Sequence, residues 1–245
     1  MRREEIVSRM RNRLAALPPS TKTALKHLAS FRLRGVVLWG HFRRLEPFSD
    51  QYGYDRGTPI DRKLIADFLK SRSSDIKGHV LEVREESYAR LFGKGVTQIS
   101  VLDIDPLNDR ANVMADLSER GSLPKERFDC AIVTQTLQYV PDLEAAFENL
   151  HDCLVPGGTL LMTVPCVSRL DPDAGYEADL WRFTPAGTSR LLSRHFARST
   201  VTGLGNCLSA ASFLMGLSAE ELTENELGYS DTAFPLLVCA QAIRE

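Results

Sequence analysis

The sequence predicts a doubly wound α/β fold, a mostly parallel sheet with helices on both faces. Two observations carry this reading. From residue 79 onward, short apolar runs of strand length alternate with stretches of helical periodicity. Runs that are apolar on both sides need cover on both sides, which flanking helix layers supply. A composition of 43% hydrophobic and 25% charged residues over 245 positions is that of an ordinary globular chain.

The elements follow in order. Residues 1–34 read as helical, broken at Pro18-Pro19, and Val36 to Trp39 is a short apolar patch. Residues 46–62, rich in Gly, Pro and Asp, read as an ordered loop, and a helix begins at Leu64 to Leu69. Strands are predicted at His79–Val83, Ile99–Ile104, Ala111–Met114 and Cys130–Val133. Leu143, Phe147, Leu150 and Leu154 recur at helical spacing, which predicts a helix over 142–154. Pro156-Gly157-Gly158 is expected to end it before a strand at Thr159–Val164. A helix over 185–195, with Thr184 as its cap and Pro185 at its first position, precedes a weak strand at Ser199–Gly203 and a strong one at Pro235–Ile243. The expected division is a basic helical extension, 1–50, followed by an α/β domain, 51–245.

Charge separates these two parts. Residues 1–50 hold eleven Lys/Arg against four Asp/Glu, whereas the whole chain has a formal net charge of −2. The basic end suits a solvated helical extension, an anionic partner or membrane surface, or a contact with a protein partner or a second copy of the chain. The acidic remainder, without interleaved aromatic and basic residues, argues against nucleic acid. The five cysteines are widely spaced and form no CxxC pair, so neither a zinc site nor a disulfide framework is expected, in keeping with a cytoplasmic location. No run of about 20 apolar residues is present to span a membrane.

In parallel sheets, ligands bind beyond the carboxyl ends of the strands. Polar residues stand at four of those ends: Glu82 in the first strand, Asp103 and Asp105 at the second, Asp116-Leu117 after the third, and Thr134-Gln135 after the fourth. An acidic side chain after the second strand can accept from both hydroxyls of a ribose. An Asp can accept from an adenine amino group while the next backbone N–H donates to the ring. Each Asp alone is more commonly a turn or helix cap; the ordered series points to an adenosyl ligand.

VLEV at 80–83, VLDID at 101–105, ADL at 115–117, FDCAIVTQTLQYVPD at 128–142 and LVPGGTLLMTVP at 154–165 resemble the successive motifs of class I S-adenosylmethionine-dependent methyltransferases. DRGTPIDR at 55–62, TQTLQ at 134–138, WRFT at 181–184 and GNCLSAASFLMGLSAEEL at 205–222 resemble, more narrowly, a bacterial methyltransferase group that accompanies glycosyltransferases and polysaccharide biosynthesis. The resemblance implies a seven-stranded Rossmann-like sheet with the last strand antiparallel. It also implies S-adenosylmethionine as cofactor, with contacts to Glu82, to Asp103 or Asp105, and to Asp116, Leu117 and Thr134, Gln135 adjoining.

The pattern departs from that superfamily at the first loop. The usual E-x-G-x-G-x-G turn reads here Glu82-Val83-Arg84-Glu85-Glu86-Ser87-Tyr88. Glycine permits positive φ and close approach of the backbone to a ligand. Two outcomes follow. Either the loop takes another path, with Arg84 holding the cofactor carboxylate and Glu85 or Glu86 near the sulfonium, or side chains fill the crevice. In the second case the chain is a silent or repurposed homologue that organises a partner enzyme or does other chemistry.

Methyl transfer to a hydroxyl needs alignment, exclusion of water and a general base. Tyr139, Asp55, Asp179 and His195 are candidates for the base by residue type only. The loop at 52–62 reads as an acceptor lid, its Tyr54 and Arg56 suited to a sugar or other polyhydroxylated small molecule, and equally as a turn tied by Asp–Arg pairs. Tyr139, Trp181 and Arg182 are expected on the acceptor side, and Asn206 is placed facing the same pocket.

Overall fold

The computed structural model describes residues 40–245; the predicted helices over 1–34 and the patch at 36–39 lie outside the described residues. Glu46–Glu245 form one compact unit. Its sheet has seven strands in the order β3-β2-β1-β4-β5-β7-β6: β1 (Gly78–Val83), β2 (Val96–Asp103), β3 (Val113–Met114), β4 (Phe128–Thr134), β5 (Leu154–Pro165), β6 (Arg198–Leu204) and β7 (Leu237–Ile243). β1 to β5 pair in parallel, and β7 runs antiparallel to both β5 and β6. This is the seven-stranded, mostly parallel Rossmann-like sheet, its last strand antiparallel, that the sequence predicts.

Alternation along the strands divides the core between two faces. Ala131 and Val133 of β4, Leu160, Met162 and Val164 of β5, and Val238, Ala240 and Ala242 of β7 pack in one layer. The helices α3 (Leu143–Asp152) and α4 (Pro185–Leu192) supply its Phe147, Leu150 and Leu192. Cys130 and Ile132, Leu161, Leu237 and Cys239 point to the other face. There they meet Ile60, Leu64, Ile65 and Leu69 of α1 (Ile60–Ser71), Ala89 of α2 (Ser87–Phe92) and Phe213 of α5 (Cys207–Leu214).

Caps set several helix starts. Asp142 accepts from Ala145 N–H at 3.0 Å, and Thr184 accepts from Gly187 N–H at 3.1 Å with Pro185 opening α4. Asn206 and Ser209 form a capping box on α5, and a last short helix, α6, covers Glu224–Gly228.

The PGG segment differs from expectation. The helix stops at Asp152, and Leu154 begins β5. Pairing with β4 jumps from Phe128–Leu154 to Cys130–Thr159, so Val155–Gly158 bulge out within the strand. Gly157 takes φ 82° there, and a Cβ on Gly158 would stand 2.8 Å from the Val155 carbonyl oxygen. The glycines therefore serve a bulge rather than a helix end.

Candidate functional site

The winding of the sheet reverses between β1 and β4, where α/β sheets open a crevice. A cavity of about 630 Å³ lies at these strand ends, lined by Arg84 after β1, Gln135 after β4, Pro165 at the end of β5 and Leu236–Leu237 at the start of β7. Among the described residues, four that are not glycine have positive φ, and three of them line this cavity: Tyr52 (56°), Arg84 (68°) and Gln135 (48°). A left-handed residue with a side chain costs about 1–2 kcal/mol. Such strain persists where the surroundings over-determine it, typically at binding sites.

The first loop leaves the crevice open. Glu82, 1% exposed, turns its carboxylate to the start of α2 and accepts from the N–H groups of Tyr88 (2.9 Å) and Ala89 (2.7 Å). Burial pushes its pKa up to about 7 against the pull of these two donors. Glu86 pairs with Arg90 at 2.8 Å, and Glu85 lies 3.9 Å from Arg110. Tyr88 stacks on Phe92. Of the segment 84–88, Arg84 alone lines the cavity.

The other strand ends are placed as follows. Asp103 Oδ1 accepts from the backbone of Ile104 (2.7 Å) and Asp105 (3.1 Å), and Oδ2 accepts from the Asn108 amide (2.7 Å). The same amide reaches the Arg84 carbonyl at 2.8 Å, tying the ends of β1 and β2 together. Burial pushes the Asp103 pKa up, but the bond from Asn108, the two backbone donors and nearby Arg84 outweigh it and hold the carboxyl below its usual range. Asp105 is exposed and closes its own turn on Leu107 N–H (2.9 Å). Asp116 accepts from the backbone (2.8 Å) and hydroxyl (2.7 Å) of Ser118, and Leu117 is buried in the core. Thr134 ends β4, half-buried, its carbonyl accepting from the Thr136 hydroxyl. None of Glu82, Asp103, Asp105, Asp116, Leu117 and Thr134 lines the cavity; Arg84 and Gln135 do.

Tyr54, Tyr139 and Arg182 also line it, and Arg56 and Trp181 do not. Arg56 turns to Glu221, donating from Nε at 3.0 Å, and its guanidinium holds that carboxyl down at about 2. Thr58 anchors on Glu220, and Pro59 bridges Ser218, so the middle of the 52–62 loop is fastened to the 218–221 turn. Its two ends contribute Tyr52, Tyr54, Asp61 and Arg62 to the cavity. Arg62 Nε donates to the Tyr54 hydroxyl at 3.1 Å, and burial raises the pKa of Asp61 beside it. Trp181 donates its indole N–H to the Val140 carbonyl at 2.9 Å. Arg182 grips Asp179 with bonds of 2.5 and 2.7 Å, and Tyr139 donates to Asp171 at 2.7 Å.

Among the bases considered by residue type, Tyr139 and Asp179 reach the cavity. Asp55 is bound by the Ser49 hydroxyl, and His195 sits 3.1 Å from Glu144. Asn206, expected to face the pocket, instead caps α5, is buried, and donates to the carbonyls of Glu226 (2.7 Å) and Tyr229 (2.8 Å); a polar residue after a glycine serves a helix start as readily as a ligand. Gln138, Arg169 and Asp171 line the cavity without having been singled out from the sequence. Gln138 lies within the recognisable TQTLQ run, but Arg169 and Asp171 lie in an irregular Asp- and Pro-rich loop that has no periodic signal.

Among the described residues no three His, Cys, Asp or Glu side chains gather as a metal site, and no helix is long and apolar enough to cross a membrane. A family model described as a methyltransferase domain matches residues 54–213. No curated protein matches the sequence. An S-adenosylmethionine-dependent methyltransferase from Mesorhizobium loti is similar in structure, with 18% identity, TM-score 0.53, and cover of 78% of this chain and 100% of that one. Another, from Archaeoglobus fulgidus, has 15% identity, TM-score 0.51, and cover of 75% and 94%. The cyclase SpnF has 16% identity, TM-score 0.51, and cover of 82% and 87%. Likeness at these identities establishes the fold, and a fold hosts more than one chemistry.

Proposed function

The chain belongs to the methyltransferase-domain family, and from that premise we propose that it transfers a methyl group from S-adenosylmethionine to a small polar acceptor, a sugar unit or glycosylated metabolite. The observation that carries this reading is the open cavity at the switch point, with a cation at the place where the glycine turn is missing. Arg84 stands there in a left-handed conformation, and no carboxylate lies within ion-pair distance of it among the described residues. A guanidinium so placed suits the cofactor carboxylate.

The remaining residues fit the same ligand. Asp103, held ionised and oriented by Asn108, suits the two ribose hydroxyls; Asp105 is committed to its own turn. By the resemblance, Asp116 and Leu117 would read the adenine edge, and Thr134 and Gln135 would adjoin the methyl end. When bound, the sulfonium supplies an electrophilic methyl group. The protein aligns the acceptor with it and excludes water, using the Tyr52, Tyr54 and Tyr139 side of the cavity. Of the five carboxylates that line the cavity, Asp61 and Asp171 are our candidates to take a proton from an acceptor hydroxyl.

Isothermal titration with S-adenosylmethionine and S-adenosylhomocysteine tests the proposal. Dissociation constants in the micromolar range, weakened by Arg84→Ala, support it. No heat at millimolar ligand would sink it in favour of a silent or repurposed homologue.

A further inference from the structure

Among the described residues five aspartates and four arginines line the cavity, and no lysine or glutamate does. Two of the arginines are committed, Arg182 to Asp179 and Arg62 to Tyr54 beside Asp61. If Arg84 serves the cofactor, the acceptor side keeps Arg169 against an excess of carboxylate. Such a lining disfavours a phosphate or carboxylate on the acceptor.

Two buried polar atoms narrow the chemistry further. Among the described residues four buried side-chain N or O atoms lack a hydrogen-bond partner, and two of them, Gln138 Oε1 and Arg169 Nε, belong to residues that line this cavity. Gln138 is 5% exposed and donates from Nε2 to the Gln135 carbonyl at 2.9 Å, which fixes Oε1 as the free end. Arg169 lays its guanidinium 4.0 Å from the centre of the Tyr52 ring. A buried polar atom left unpaired costs about 1–3 kcal/mol, so such atoms call for an explanation. One of these atoms accepts and the other donates. A hydroxyl group does both, an ammonium cannot serve Arg169, and a phosphate dianion cannot serve Gln138.

Resting on the methyltransferase reading for its place in the reaction, we propose that Gln138 and Arg169 form the acceptor-reading pair of this cavity and that the acceptor is a neutral, hydroxyl-rich molecule. Both atoms are shielded, so the ligand enters by parting the Arg169–Tyr52 stack and engages the pair through adjacent hydroxyls. The Tyr52 ring then packs on the apolar face of the ligand.

Saturation-transfer NMR and titration with the methyl glycosides of glucose, galactose, mannose and rhamnose, with the 6-phosphates of the first three, and with glucosamine test this directly. At least one neutral glycoside should bind in the millimolar range, with its phosphate or amine no more than threefold tighter. Gln138→Met, which keeps the volume, and Arg169→Lys, which keeps the charge but removes the Nε donor, should each weaken that glycoside at least tenfold. Affinity for S-adenosylmethionine should stay within twofold and the melting temperature near the parent's. Binding of no neutral glycoside, a phosphate tenfold tighter than its parent sugar, or unchanged affinity in both variants would overturn the proposal. Glycoside binding lost in the variants of a protein that does not bind S-adenosylmethionine would leave the subsite standing and bring down the methyl-transfer reading instead.

Discussion

Glu82, in the middle of the sheet, accepts a 2.7 Å hydrogen bond from the backbone N–H of Ala89, and the short helix α2 is seated on β1 through it. Burial raises this carboxyl to about 7. The unfolded group titrates near about 4.3. Between those values the folded chain binds more protons than the unfolded one, so this group's contribution to stability falls as pH rises from about 4.3 to 7 and is flat above. Denaturant unfolding of the parent and of Glu82→Gln across that window checks the sign. The variant should be weaker at low pH, because its amide must face one of the two N–H donors, and the gap should narrow toward pH 8. A gap that stays constant from about pH 5 to 8 would show that Glu82 is ionised throughout that range.

Arg84 couples strain to binding. Its φ of 68° is a conformation that glycine adopts freely. Arg84→Gly should therefore stabilise the chain by up to about 1 kcal/mol, less the entropy that glycine adds to the unfolded state. It should at the same time weaken S-adenosylmethionine about tenfold, by loss of a charge-assisted bond. Denaturation and calorimetry on the same preparation read the two effects. A variant that is more stable and binds the cofactor as well as the parent would assign Arg84 no part in the site.

The sheet was legible because its signal is redundant. The central strands declare themselves by their own apolar runs, and the two-face alternation of Cys130 to Val133 or Leu160 to Val164 needs no knowledge of the partners. α2 was not legible: its six residues are too few for a period to emerge, and it starts on a carboxylate five residues before it rather than on a local cap. α5 announces itself only through the Asn206–Ser209 box, which reads equally as a loop. Strand-end chemistry fixed which loops to examine; Arg84 and Gln135 line the cavity, whereas Glu82, Asp103, Asp105, Asp116, Leu117 and Thr134 do not. Arg169 and Asp171 arrive there through an irregular loop held by Arg182 and Asp179, a tertiary arrangement that no local pattern encodes.

Asp103 and Asp105 are two residues apart and interchangeable by sequence, but the structure gives them different neighbours. Asp103 is bonded to the Asn108 amide that also holds the Arg84 carbonyl, whereas Asp105 is exposed on its own turn. Asp103→Asn should weaken S-adenosylmethionine at least tenfold, since a ribose hydroxyl loses a charged acceptor, and Asp105→Asn should change it less than threefold. Titration of both variants decides. The reverse order would place the ribose on the outer turn.

Gly157 and Gly158 offer a test of why the bulge in β5 carries two glycines. Gly157 has φ 82° but open space around its missing side chain. Gly158 shows the opposite: its Cβ would meet the Val155 carbonyl oxygen at 2.8 Å and, at 3.1 Å, both Leu154 Cβ and the Phe128 carbonyl oxygen. Gly157→Ala should cost about 1–2 kcal/mol, the price of a left-handed residue with a side chain. Gly158→Ala must separate β5 from the end of β4 or distort the bulge, and overpacking of this kind costs about 1–3 kcal/mol and occasionally more. The backbone at Gly158 belongs to the sheet, its carbonyl accepting from Arg244 N–H at 3.0 Å, so relief by local movement breaks a strand-end bond. Gly158→Ala should thus be the more destabilising of the two, by urea denaturation, although Gly157 alone has the conformation usually reserved for glycine.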